Sequence, residues 1–256
     1  MPRSLCVILH SIGEQSVIVL TPDQIVTSKA LYARALVHTA RYKRRMKRIL
    51  LLLTTLTLLL TTTLVIGQNI RFSDPETVVS EHFWGNLYAA GGRSFFCDQA
   101  FTSKGFVLTD GYVYPLADVR SALNCGTSRQ CEQDNRYRQI ASDLHNMIPV
   151  RSRTEMGRRN ARYEDLGEGA KPDECGIRQS AQFFEPPVRV KGDVARTVAY
   201  MVDTYDLPWL GSTALFKGWN RLDPPDDGEL TRHRRIAEIQ GNDNPFITDP
   251  GRMEQL

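Results

Sequence analysis

The sequence contains no glycine-rich phosphate loop, no Gly-x-Ser-x-Gly elbow and no dinucleotide fingerprint, which removes the P-loop NTPases, the α/β-hydrolases and the Rossmann oxidoreductases. Histidine is scarce, five in 256 residues. Cys125 and Cys131 lack the spacing of a zinc knuckle, and no histidine follows them at ligand distance, so zinc is the weaker rival to disulfide bonding. Positive charge is also scarce where it would matter. The chain is +3 overall, but residues 1 to 66 hold nine Lys and Arg against two acids, leaving residues 67 to 256 at −4. A general polycation is thereby excluded, and any binding of anionic polymers falls to local clusters. Two exist, Arg151, Arg153, Arg158, Arg159 and Arg162, then Arg232, Arg234 and Arg235; each is equally readable as a solvated face. No internal repeat is present.

With 256 residues, 41% of them apolar, the chain can bury one sizeable core with extensions. Arg44, Arg45, Lys47 and Arg48 lead into an apolar, threonine-diluted run from Ile49 to Ile66, the layout of a secretory signal. The run is long for a signal and short for a full span, so a retained membrane anchor stays open. Translation starting at Met46 would make residues 1–45 a non-native or disordered extension, residues 46–67 the signal or anchor, and 68–256 the domain. Removing the leader removes Cys6 and leaves Cys97, Cys125, Cys131 and Cys175, an even number that suits disulfides in an oxidising compartment.

Ser73-Asp74-Pro75-Glu76 reads as a capping box opening a helix through Val78, Val79, Phe83 and Leu87, stopped by Gly91-Gly92. Phe95 to Tyr114 is rich in β-favouring residues broken by Gly105 and Gly111, and predicts short strands. Asp134 can cap a helix with Tyr137, Ile140, Leu144 and Met147 inward, ending before Pro149, which places Ser142 and Asn146 on one polar face. Arg151 to Lys171 reads as irregular loop. Asp193 can cap a helix burying Val194, Val198, Met201, Val202 and Tyr205, and a last helix runs from about Glu229 to Gln240, with Ile236 and Ile239 inward and Gly241 as its stop. Sheet residues followed by helices predict an α+β fold.

Asp143-Leu144-His145-Asn146-Met147-Ile148-Pro149 and then Gly157-Arg158-Arg159-Asn160 resemble the endonuclease I family pattern Asp-Leu-His-Asn-Leu-x-Pro followed by an Arg-Ser-Asn or Arg-Arg-Asn turn. Pro186-Pro187, Lys191 to Arg196, Tyr200-Met201, Trp219-Asn220 and Gln240 to Phe246 continue the match in order. The resemblance implies a mixed α/β body with a ββα-metal finger of the His-Me type. It also implies an exported, secreted or periplasmic, disulfide-bonded enzyme cutting DNA, and often RNA, with magnesium or another divalent cation. It pairs Cys97 with Cys175 and Cys125 with Cys131. Asn146 matches the family's metal-binding asparagine, whereas His145 reads as a structural histidine.

The departure lies upstream. Where the family reads Glu-Trp-Glu-His-Val-Val-Pro-Ala, this chain has Thr109-Asp110-Gly111-Tyr112-Val113-Tyr114-Pro115-Leu116, so Tyr112 replaces the general-base histidine and Gly111 the glutamate metal ligand. An unaided tyrosine is a poor base at neutral pH, although a neighbouring metal or arginine could lower its pKa. Asp110 would share a strand face with Tyr112 and is a candidate replacement ligand, unless Asp110-Gly111 is merely a turn. Arg129 lies near the family's phosphate-stabilising arginine. Arg158, Arg159 and Asn160 match the turn after the metal helix, which could position nearby backbone or nucleic acid, with surface solvation the alternative for Arg158. The expected activity is a metal-dependent endonuclease; its alternative is a catalytically impaired homologue that binds nucleic acid or another partner.

Overall fold

The computed structural model describes residues 5–11, 14–20 and 72–256 of the chain, in two units divided after Gly67. In the first unit, β1 (Leu5–Ser11) and β2 (Glu14–Leu20) form an antiparallel hairpin, within the stretch read as an added or disordered extension. The candidate start at Met46 and the leader 46–67 lie outside the described residues. Among the described residues, no helix is long and apolar enough to cross a membrane.

The second unit joins helices to small sheets, the α+β arrangement, with both disulfides formed as expected: Cys97 to Cys175, and Cys125 to Cys131. It begins with α1 (Pro75–Thr77), which runs directly into a π-helix, Val78–Leu87. The expected capping box is absent. Asp74 occupies the cap position but accepts no backbone N–H there; its carboxylate takes the Thr77 hydroxyl at 2.8 Å instead. The widened turns of the π-helix still bury Val78, Phe83 and Leu87 on one side.

Next come β3 (Gly92–Arg93) with β4 (Ala100–Phe101), then β5 (Leu108–Tyr112). Three short helices follow: α2 (Leu116–Leu123), α3 (Ser128–Cys131) and α4 (Asn135–Ala141). Asp134 caps α4 as its sequence predicts, accepting from Arg136 N and Tyr137 N. The helix stops at Ala141, however, well short of the expected end before Pro149. Asp143 Oδ1 takes the His145 N–H at 2.9 Å, and Gln240 Oε1 takes that of Leu144 at 2.7 Å. These side-chain acceptors, one local and one distant in sequence, replace the carbonyls of a continuing helix, so the chain turns and emerges as β6 (Met147–Arg151), antiparallel to β5. Ser142 and Asn146 therefore share no helix face.

The Arg151–Lys171 segment is also more ordered than its composition suggests. It holds α5 (Ser152–Arg158) and β7 (Arg162–Tyr163). β7 runs parallel to β9 (Phe183–Glu185), which pairs on its other side with β8 (Arg178–Gln179). Burial of the Tyr163 ring, at 0% exposure, contributes the free energy that local propensity does not, and the hydrogen bonds of buried Arg158 offset the cost of desolvating its charge.

The centre of the unit is α6 (Lys191–Tyr205), with Val194, Val198 and Met201 wholly buried and Tyr205 nearly so. It starts earlier than Asp193, which sits in the first turn and binds Arg196 at 3.2 Å. Against α6 packs α7 (Thr213–Leu222), capped by Ser212, a helix that the sequence reading missed. Then α8 (Asp227–Gln240) ends at Gly241, whose φ of +87° is the left-handed conformation glycine permits. Arg196, wholly buried, joins α6 to α8 through Glu229 at 2.5 Å, with Asn220 at 3.0 Å. The short α9 (Pro245–Thr248) closes the core.

Candidate functional site

Strands β5 and β6 and the following α5 bring most of the sequence-derived candidates together. β5 is regular strand through Asp110 and Gly111, which pair with Pro149 and Ile148; the turn reading of Asp110-Gly111 is thereby corrected. Alternation along β5 sends Tyr112 toward the π-helix, into an apolar cluster with Val78, Phe83, Leu87, Leu144, Met147 and Ile236. Its phenol is 9% exposed and donates to the Ala141 carbonyl at 3.3 Å. Burial, reinforced by the Asp110 carboxylate, raises its pKa well above the ordinary value of a tyrosine. This is the opposite of what a base requires. The nearest arginine does not reverse it, because Arg158 binds the backbone carbonyl of Tyr112.

Gly111 faces the other side. A Cβ there would lie 2.4 Å from Val150 Cγ1 and 2.9 Å from Glu155 Oε2, so the space for a longer side chain is taken. Glu155 in turn is held by Arg158 Nη2, at 3.0 Å to each carboxylate oxygen. Arg158 also donates to the Val113 carbonyl at 3.2 Å and to the Tyr163 hydroxyl at 3.3 Å. The Tyr163 hydroxyl in turn donates a hydrogen bond to Val113 O at 2.7 Å, and burial pushes its pKa up to about 12. Of the expected roles of Arg158, the structure fits the positioning of nearby backbone, as an interior tie between α5 and β5; its burial corrects the reading as a solvated surface residue. Arg159, at φ +48°, and Asn160 are exposed just beyond it. Arg129 is exposed in the small loop closed by Cys125 and Cys131.

Asn146 is fully buried in the turn before β6. Its Oδ1 accepts from Tyr114 N at 2.6 Å and its Nδ2 donates to Tyr114 O at 3.0 Å. The amide thus satisfies one residue's backbone on both sides, its oxygen accepting one of the two hydrogen bonds it can take. Asp110 is half-buried. Its Oδ1 receives the Trp84 indole N–H at 3.3 Å and faces Lys104 Nζ at 3.6 Å. Among the described residues, no group of three or more His, Cys, Asp and Glu is arranged to hold a metal. The protein oxygens at hand are the Asp110 carboxylate, which faces Lys104, and the Asn146 amide, while Gly111 supplies no side chain; magnesium is ordinarily held by one or two carboxylates together with several waters.

Beside the site lies a buried network that the sequence showed only as scattered polar residues. Asp143 Oδ2 accepts from Tyr200 and Tyr205 at 2.6 and 2.8 Å, and Oδ1 from Gln240 at 2.7 Å. His145 is structural, as expected. Its Nε2 meets the Asn242 carbonyl at 3.1 Å, and its ring lies 5.4 Å from that of His233. Burial lowers the His145 pKa to about 4, against the opposing pull of Asp143. Because the folded pKa is depressed below an unfolded value near 6.5, the folded state carries no penalty above that pH. It then loses stability as pH falls toward 4, by about 3 kcal/mol in total. Urea unfolding between pH 7 and 4 is expected to show this slope, and His145→Gln is expected to flatten it; equal slopes would remove His145 as its source.

A family model described as Endonuclease I matches residues 120–251. The match begins beyond Gly111 and Tyr112, the two positions that depart from the family pattern. An extracellular deoxyribonuclease of Aeromonas hydrophila is 32% identical over 147 residues, covering 53% of this chain and 63% of the relative. A periplasmic deoxyribonuclease of the same organism is 32% identical over 146 residues, covering 53% and 61%. An extracellular ribonuclease of Bacillus amyloliquefaciens is 30% identical over 134 residues, covering 45% and 46%. The chain spans less than two thirds of the length of each of these relatives.

Proposed function

Because the chain belongs to the endonuclease I family, we propose that it acts on nucleic acid outside the cytoplasm, and does so by binding, with hydrolysis at the family's site impaired. Relatives named for DNA and for RNA share the phosphodiester polymer as target, which supports nucleic acid without choosing between the two. The relatives' extracellular and periplasmic names, together with two disulfides, support a location where thiols stay oxidised. The preference for binding over cutting rests on one observation, the Tyr112 phenol that donates its proton inside an apolar cluster. Water activation requires a group that takes a proton near neutral pH. Exposed Arg159, Asn160 and Arg129 remain as contacts for phosphates, in which case affinity falls steeply with salt.

The test is plasmid nicking and gel shift by the oxidised full chain, with magnesium or with EDTA. The expected result is a shift at low salt, weakened by Arg159→Ala, with no more nicking in magnesium than in EDTA. Magnesium-dependent cutting that disappears in Tyr112→Phe would overturn the binding reading and restore a metal-dependent endonuclease working through Tyr112.

A further inference from the structure

The π-helix places Trp84 and Tyr88 on its outer side, where they meet Phe101 of β4. All three rings are only partly buried. Their centroids lie 5.9 to 6.2 Å apart, with interplanar angles of 68° for Trp84 and Phe101, 51° for Trp84 and Tyr88, and 47° for Tyr88 and Phe101. The rings are therefore tilted or edge-on to one another, and Phe83 meets Trp84 and Tyr88 edge-on from the core side at 4.9 and 5.0 Å. The Trp84 indole N–H is fixed on Asp110, which orients the ring. Lys104 Nζ lies over its face, 5.3 Å from the centroid, on a side chain that is half-exposed. From the same loop Phe106 stands wholly in solvent, at 107% exposure. Cationic side chains border the cluster: Arg235 reaches the Asn86 carbonyl of the π-helix at 2.9 Å, and Arg232 the Tyr88 hydroxyl at 3.1 Å.

We propose that this aromatic face is a stacking platform for the bases of single-stranded nucleic acid, with Lys104 and Arg235 meeting its phosphates. Partly exposed rings beside exposed cations are what an unpaired strand uses: bases stack on the accessible ring surface, and Lys104, which lies over Trp84 and faces Asp110, turns to the backbone. A duplex cannot use the platform, since its base faces are already stacked inside the helix. The proposal rests on the nucleic-acid reading above and narrows it to single strands.

The experiment measures binding of a fluorescent oligothymidylate and of a duplex of the same length to the oxidised full chain, to Trp84→Leu and to Lys104→Ala. Unfolding temperatures accompany each variant. The wild type is expected to favour the single strand by about tenfold or more, with its tryptophan fluorescence quenched on binding. Trp84→Leu should lose about tenfold toward the single strand and less than twofold toward the duplex. Lys104→Ala, on an exposed side chain outside the core, should reduce the salt slope for the single strand by about one unit. Equal binding of both nucleic acids, unchanged in both variants, overturns the platform while leaving nucleic-acid binding intact. A wild type that binds neither overturns the functional reading as well.

Discussion

Arg158→Met is expected to lower the stability of the domain by about 3 to 5 kcal/mol, the range for breaking a buried ion pair by removing one partner. The guanidinium is wholly buried and donates to the carbonyls of Tyr112 and Val113, to the Tyr163 hydroxyl and to Glu155. Methionine fills much of the volume but leaves two buried carbonyls with fewer donors and the Glu155 carboxylate without its cation. The neighbouring Arg159→Ala, at an exposed position, should change stability by less than about 0.5 kcal/mol. Urea unfolding of the two variants separates the roles. If Arg158→Met were as stable as wild type and only weakened nucleic-acid binding, the interior-tie account of Arg158 would be wrong.

A loss of similar size is expected for Asp143→Asn, by a different route. Four donors converge on the Asp143 carboxylate: the hydroxyls of Tyr200 and Tyr205 on one oxygen, and the Gln240 amide and His145 N–H on the other. Burial and the Asp143 charge raise the pKa of both tyrosines strongly, so both remain donors at any ordinary pH. Asparagine offers one acceptor oxygen, and its own N–H groups must face donors on the other side. With charged-acceptor hydrogen bonds worth about 1.5 to 3 kcal/mol each, losing two of the four costs about 3 to 5 kcal/mol. The same change removes the Asx contact to His145 N that helps end α4, so the α4–β6 turn should lose amide-exchange protection ahead of α6. A stability within 1 kcal/mol of wild type would contradict this account of the turn.

Both changes bear on how much of the molecule its sequence revealed. Local chemistry was legible where local chemistry decides. Asp134 caps α4, Gly241 stops α8, and the apolar period of 194–205 marks α6, because a cap, a left-handed residue and a 3.6-residue stripe act within one or two turns. The stretch from Ser142 to Ile148 was misread as helix. Its apolar positions fit a helical period, but one acceptor that ends the helix, Gln240 Oε1, comes from almost a hundred residues away. Arg158 was equally opaque, since an arginine in a charged run looks solvated until Tyr112, Val113 and Tyr163 are folded around it. The platform residue Trp84 carried no motif at all; its exposure depends on the π-helix and on where β4 lies.

By itself the sequence determined the family, the α+β class, an even set of four cysteines and the fact that positions 111 and 112 depart from the family pattern, since these are matters of residue identity and order; the two disulfide pairs came through the family resemblance. Only the tertiary structure decided what surrounds those positions. Whether Tyr112 gives or takes a proton depends on the low-dielectric cluster around it. Whether Asn146 can hold a cation depends on which backbone groups already occupy its amide. Both are set by residues distant in sequence and close in space, because solvation and hydrogen bonding respond to proximity alone.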